Sequence, residues 1–324
     1  MTDAGPPQWE RAVLEKVALK ALDEQRRARQ WGALFKLLWF IFAFLVLAAW
    51  LGWVGRPGKG ALDPMSSGKH TAVVDLEGVI APDGRASADR INKALQRAFK
   101  DSGTQGVVLR INSPGGSPVQ AGAINDEMRR LRAKYPDTPL YVVVQDLCAS
   151  GGYYVAAGAD KIYVDKASLV GSIGVIISSF GFTGAMDKLG IERRAYTAGS
   201  NKDMLDPFAP ENPAQREHIQ KMLDEIHQQF IAVVRQGRGK RLKETPEMFS
   251  GLVWTGEKSV ELGLADGLGS LDYVAREVIK AEKIVDFTPR DSFIEQLSDR
   301  LGTRFGEALA RAAADTASRP VTVR

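Results

Sequence analysis

The sequence predicts an α/β protein, a mostly parallel sheet with covering helices, preceded by one transmembrane helix. Two observations carry this. From residue 70 onward, short β-branched runs ending in turn residues alternate with helix-like stretches at the spacing of βαβ units. Ahead of them, residues 37–55 (LLWFIFAFLVLAAWLGWVG) contain no charge, and as a helix they rise about 28 Å, the depth of one bilayer core.

The elements follow in order. Residues 1–36 form an amino-terminal tail in which Trp9, Val13, Val17, Leu19 and Leu22 lie among charges, compatible with a short interfacial helix or a solvated tail. The span at 37–55 has Trp39, Trp50 and Trp53 near its ends, as interfacial aromatics lie, and Lys36 placed to snorkel. Lys20, Arg26, Arg27, Arg29 and Lys36 precede it, against Arg56, Lys59 and Lys69 after it. That asymmetry puts the amino terminus in the cytoplasm and everything beyond residue 56 outside it. Residues 56–69, rich in Gly, Pro and Ser, read as a linker, and a folded domain is expected over 70–285.

Within that domain, HTAVVDLEGVIA from His70 and GVVLRINSPGGS from Gly106 read as strands around a helix at Ser87–Ala98. A helix from Val119 to Lys134, a strand from Pro139, a small-residue helix from Gly151, a strand from Lys161 and another near Val175 continue the alternation. A longer helix is expected from Pro213 to Arg235, followed by strand-like FSGLVW at Phe249 and repeated glycines from Gly263 to Gly269. Residues 286–324 are expected to form an amphipathic helix and tail, since Phe293, Leu297, Leu301, Phe305 and Leu309 recur every four residues.

Composition excludes several function classes. Forty-three Lys and Arg against 39 Asp and Glu leave +4 over 324 residues, interspersed, which is no nucleic-acid footprint. One cysteine, Cys148, rules out an internal disulfide and a four-cysteine zinc site. Of the three histidines, His218 and His227 fall nine residues apart on opposite faces of one helix, and His70 starts a strand, so no shared metal is expected. No phosphate-cradling, dinucleotide-binding, G-x-S-x-G or H-E-x-x-H signature occurs, and no cofactor is expected.

Two glycine-rich strand ends remain, Asn112-Ser113-Pro114-Gly115-Gly116-Ser117 and Ala149-Ser150-Gly151-Gly152. Loops at the carboxyl ends of strands in an open α/β sheet form the ligand crevice, and free backbone N–H groups there suit an anion. Ser150 is thus a candidate nucleophile, with N–H groups of Gly151 and of Gly116 or Ser117 facing the oxyanion. The plainer alternative is an N-cap serine between tight turns. With no histidine in place, the base left for a serine is a lysine. An ordinary lysine, pKa about 10.4, is neutral about once in 2,500 molecules at pH 7, so roughly 4 to 5 kcal/mol opposes this use unless burial intervenes. Lys202, in a loop-like stretch after the core, and the hydroxyl of Ser172 in Val170-Gly171-Ser172-Ile173-Gly174 are the candidates, though spacing alone does not select them.

Over residues 70 to 280 the chain resembles the signal peptide peptidase A (protease IV) family of the Clp-protease/crotonase fold superfamily. N-S-P-G-G at 112–116, A-S-G-G-Y-Y at 149–154, A-D-K-I-Y at 159–163, G-S-I-G-V-I at 171–176 and K-D at 202–203 occur in family order. The resemblance implies a Ser-Lys dyad of Ser150 and Lys202, with Ser172 orienting the lysine and Gly116, Ser117 and Gly151 supplying the oxyanion hole. Many members carry a glycine where this chain has Ser117. One motif set matches the short, single-domain type, which implies a bowl-shaped homo-oligomer at the bacterial inner membrane that degrades cleaved signal peptides or other apolar peptides. Crotonase-like acyl-CoA chemistry and a non-catalytic membrane scaffold are the competing expectations.

Overall fold

The computed structural model describes residues 31, 32, 34–44, 47 and 68–289. The chain divides into two units, residues 1–63 with 291–324, and residues 64–290. In the first unit, residues 34–44 are helical and expose Trp39, Phe40 and Phe42. Among the described residues, no helix is long and apolar enough to cross a membrane. Nearly all of the expected span beyond Phe44, the tail over 1–30, the linker over 56–67 and the apolar stripe from Phe293 to Leu309 lie outside the described residues.

The second unit is a mixed α/β domain on an eight-stranded sheet. In chain order it contains β1 (His70–Glu77), α1 (Ala88–Lys100), β2 (Thr104–Ser113), α2 (Pro118–Lys134), β3 (Leu140–Ala149), α3 (Gly151–Ala156), β4 (Lys161–Val164) and β5 (Leu169–Gly171). Then come α4 (Thr183–Leu189), α5 (Pro213–Arg238), β6 (Val253–Thr255), α6 (Gly256–Glu261), β7 (Gly267–Leu268), α7 (Leu271–Tyr273) with a π-helical turn Val274–Ile279, and β8 (Ile284–Asp286). The sheet order is β6-β5-β3-β2-β1-β8, with β4 and β7 branching from β3. Every pairing is parallel except β5 with β6.

Local chemistry accounts for these elements. α1 turns Ile91, Ala94, Leu95, Ala98 and Phe99 inward and Lys93, Arg97 and Lys100 to water, the 3.6-residue period of an amphipathic helix. α2 starts at Pro118, whose missing N–H costs nothing in a first turn, behind the cap Ser117. β1 and β2 bury nearly every side chain because helices cover the sheet's main face, the pattern of a parallel sheet. Val73, Val108, Val143, Tyr163 and Val274 form a second, smaller cluster under the π-helical turn on the other face.

Three details differ from expectation. The strand expected near Val175 lies earlier, at Leu169–Gly171, because β3 spends its second half pairing there. From Gly174 to Asn212 the chain is irregular apart from α4 and almost wholly exposed, so among the described residues nothing partners a strand there. β8, unmarked in the sequence, forms because Ile284, Val285 and Asp286 align with Thr71, Ala72 and Val73 and extend the sheet's far edge.

β3 serves two neighbours in succession on one side. Tyr141–Val143 pair with β4, and Leu147–Ala149 pair with β5. The β2–β3 register shifts between Ile111 and Ser113, where the two strands diverge toward their carboxyl ends. The two glycine-rich strand ends meet at that divergence.

Candidate active site

Ser150 stands where β3 passes directly into α3, with φ 52° and ψ −125°. A side chain in this region costs on the order of 1–3 kcal/mol, and such strain persists only where the surroundings impose it. Here the Ser150 N–H donates to the Gly171 carbonyl at 2.9 Å and its carbonyl accepts from the Tyr154 N–H at 3.0 Å. The strand on one side and the helix on the other therefore hold the turn. A serine on a sharp, strained strand-to-helix turn presents its hydroxyl beyond the sheet edge, and the residue is half-buried.

The Gly115–Gly116 loop packs against it, backbone to backbone. A β-carbon on Gly115 would lie 2.6 Å from the Gly151 nitrogen and 2.8 Å from Ser150 Cβ, so only glycine permits the approach. A β-carbon on Gly151 would lie 3.3 Å from the Gly116 nitrogen. Neither the Gly116 nor the Gly151 N–H donates a hydrogen bond among the described residues. The Ser117 N–H is different, since it donates to the Ile80 carbonyl at 2.8 Å. Of the three backbone donors named from sequence, two are free and adjacent and one is already committed.

A strap formed by the chain after β1 holds this loop. The Gly78 N–H donates to Asn112 O at 2.9 Å, the Ile80 N–H donates to Gly115 O at 2.8 Å, and Ile80 O receives Ser117. At the centre, the fully buried Ser113 hydroxyl donates to Gly78 O at 2.6 Å and accepts from the Gly115 N–H at 3.1 Å. Ser113 and Ile80 were not singled out by sequence reasoning. The N-S-P-G-G motif contained the serine, but its inward direction is set by the pleat of β2.

Ser172 follows β5 and has φ 50°. Ala149 pairs with Gly171, so Ser150 and Ser172 follow adjacent strand positions and lie side by side. The Ser172 N–H donates to Leu252 O at 2.7 Å, which fixes the turn from the β6 side. Beyond it, His227 Nε2 lies 3.2 Å from the Ile173 carbonyl and joins α5 to this loop. His218 is exposed. His70 is buried at the opposite end of the sheet, with Nδ1 3.1 Å from Gly68 O. Cys148 is buried, and that burial pushes its thiol well above its ordinary range, so it is no nucleophile at neutral pH.

Lys202 sits in the exposed stretch after Gly199, its N–H bonded to Gly199 O at 3.1 Å. Among the described residues, no hydrogen bond joins its amine to Ser150 or Ser172. The chain thus brings together Ser150, Ser172, Gly116 and Gly151, and leaves Lys202 apart on an irregular segment that also exposes Ile176, Phe180, Leu189 and Tyr196. No group of three or more His, Cys, Asp or Glu residues able to hold a metal occurs among the described residues.

A strained serine at a strand-to-helix turn, beside two free backbone N–H groups at the carboxyl edge of a parallel sheet, is an arrangement suited to acyl transfer. Comparison with known proteins narrows the class. The sequence pattern of "Peptidase family S49" matches residues 132–285. "Putative signal peptide peptidase SppA" of Enterococcus faecium is 32% identical over 249 residues, 74% of this chain and 71% of that protein. "Protease 4" of Haemophilus influenzae is 30% identical over 238 residues, 70% of this chain and 37% of that protein. A Brucella melitensis protein named "Na(+)/H(+) antiporter NhaA" is 44% identical over 204 residues, 61% of this chain. This chain spans 28% of the length of that relative. The chain belongs to the signal peptide peptidase A family, peptidase family S49.

Proposed function

We propose that the protein is a membrane-anchored serine endopeptidase that cleaves apolar peptides, among them cleaved signal peptides, through a Ser150–Lys202 dyad. The observation that carries the reading is the juxtaposition of strained Ser150 with the free N–H groups of Gly116 and Gly151. In the reaction, Ser150 Oγ attacks the scissile carbonyl while the Lys202 amine takes the hydroxyl proton. The carbonyl oxygen becomes an oxyanion held by the Gly116 and Gly151 N–H groups. Collapse breaks the C–N bond, the lysine ammonium returns a proton to the leaving amine, and water then attacks the ester, releasing the second fragment and restoring Ser150.

Ser172 stands beside Ser150 and would accept or donate a hydrogen bond to an incoming lysine. Lys202 on an exposed, apolar segment fits a site completed by a neighbouring copy in a ring of subunits, where burial against the neighbour would favour its neutral form. The charge-free run at 37–55 serves as the anchor, with the amino terminus cytoplasmic and the catalytic domain on the outer side of the bacterial inner membrane.

The test uses the full chain in detergent and an unfolded apolar peptide. Ser150→Ala and Lys202→Ala each abolish cleavage while leaving the circular dichroism unchanged. Co-assembling the two inactive variants restores a fraction of parental activity when the dyad spans two copies, and restores none when it forms within one. Equal cleavage by the parent and both variants would place the nucleophile elsewhere.

A further inference from the structure

We infer that the amino-terminal edge of the sheet is a basic face that lies on anionic lipid headgroups; the inference rests on the membrane-anchor reading above. In a parallel sheet all strands begin at one edge, and this edge collects lysines from separate parts of the sequence. Lys283 immediately precedes β8, Lys69 precedes β1, Lys100 ends α1 just before β2, Lys134 ends α2 before β3, and Lys161 opens β4. Lys280 closes the π-helical turn beside them, since Thr71 Oγ1 donates to Ala281 O and the Thr71 N–H donates to Lys283 O.

All six are exposed, and none forms an ion pair among the described residues. The carboxylates nearby are fewer. Asp160 is paired with Arg132, and Asp101 is turned inward to the Gly103 N–H and the His70 ring, which leaves Asp137 and Glu282 in the open. The opposite edge is mixed in sign, with exposed Glu77, Asp146 and Asp165 near the carboxyl ends of β1, β3 and β4 and exposed Lys166 beside Asp165. Lys100, Lys134 and Lys280 also stand at the carboxyl ends of their helical segments, but the other three have no such role.

Chain direction supplies the second, independent observation. β1 is the first element of the domain, and the His70 N–H donates to Gly103 O, so the chain joins the domain from the charge-free run at this basic edge. The edge at which the chain enters the domain is thus one whose lysines suit an anionic bilayer, and each lysine near such a surface adds to the attraction within a Debye length. β1 has eight residues, roughly 26 Å, so the Ser150 edge would stand about one strand length off the headgroups.

The experiment inserts the full chain into nanodiscs of pure phosphatidylcholine and of phosphatidylcholine with phosphatidylglycerol, then follows lysine acylation by mass spectrometry. The six edge lysines react about three-fold or more slowly in the anionic discs, and 0.5 M NaCl removes the difference. Lys93, Lys221 and Lys258, away from the edge, react equally in both. Equal rates for the edge lysines in the two lipids overturn the inference, as does protection of the distant lysines to the same degree. Protection by inorganic phosphate alone would assign an ion site and likewise overturn it. Failure of the chain to enter discs of either lipid refutes the anchor itself, an outcome distinct from unprotected lysines on an inserted chain. A Lys69→Gln, Lys100→Gln, Lys161→Gln, Lys283→Gln variant inserts equally, cleaves a soluble peptide at the parental rate and loses the lipid dependence of the remaining edge lysines.

Discussion

Gly116→Ala tests the oxyanion assignment most directly. Gly116 has φ 146°, a conformation that costs a side chain on the order of 1–3 kcal/mol. Its new β-carbon would lie 2.2 Å from Ile80 O and 2.8 Å from Ile80 N, both backbone atoms on the strap, so the loop must move by about an ångström. That motion removes the Gly116 N–H from the oxyanion position. Loss of one such donor lowers kcat by about 10²- to 10³-fold, or roughly 2.7–4 kcal/mol of transition-state stabilisation. Ser117→Ala is the matched control. It keeps the backbone N–H bonded to Ile80 O and removes only a long cap contact, Ser117 Oγ to the Gln120 N–H at 3.4 Å, worth about 0.5–1 kcal/mol of stability. Steady-state kcat and KM on one peptide, with thermal unfolding of both variants, separate the cases. Parental kcat in Gly116→Ala, or equal losses in the two variants, would refute the geometry.

Two further outcomes follow from buried polar groups. Ser113→Ala leaves the Gly115 N–H without its acceptor inside the core, which costs about 1–3 kcal/mol of stability and lowers kcat more than it raises KM; unchanged kcat would remove Ser113 from the support of the oxyanion loop. Arg238, fully buried at the end of α5, donates from Nε to Gly263 O and from a terminal nitrogen to Asp266, so Arg238→Met destabilises by about 3–5 kcal/mol, read from denaturant midpoints. Burial pushes the Asp266 carboxyl up, but the Arg238 hydrogen bond and charge, with the Ile162 N–H, outweigh it and hold the carboxyl below its usual range. A depressed folded value gives stabilisation that is complete above the unfolded carboxylate range and is lost as the pH falls through the folded value, so the parent weakens in acid. In Arg238→Met much of that acid-dependent part is absent, and the two stability curves converge at low pH.

Sequence periodicity and turn chemistry located the strands and helices from β1 to β4 because each announces itself locally, through β-branched runs, an amphipathic repeat or a glycine-rich end. β8 and the true position of β5 were not legible. Both are three-residue strands whose pairing partners lie far away in sequence, Thr71–Val73 for one and Leu147–Ala149 for the other. At the site, the motifs gave Ser150, Gly116 and Gly151, but spacing could not choose between the Gly116 and Ser117 N–H groups. The choice depends on Ile80, more than thirty residues earlier, whose carbonyl takes the Ser117 hydrogen bond. Spacing places His218 and His227 on opposite faces of α5, and the contact of His227 with Ile173 O depends on how α5 packs over the loop after β5.

What the sequence by itself determined is the chemistry available: one serine ahead of a glycine pair at a strand end, no histidine spaced to serve it, a single cysteine, and a charge-free run ahead of an α/β domain. These are properties of composition and short-range order. Only the tertiary structure decided which backbone donors remain free, how Ser113 and the strap hold them, and that six lysines dispersed over more than two hundred residues share one edge. Parallel strands return the chain to the same edge after every helix, and nothing in a local stretch of sequence records which residues will meet there.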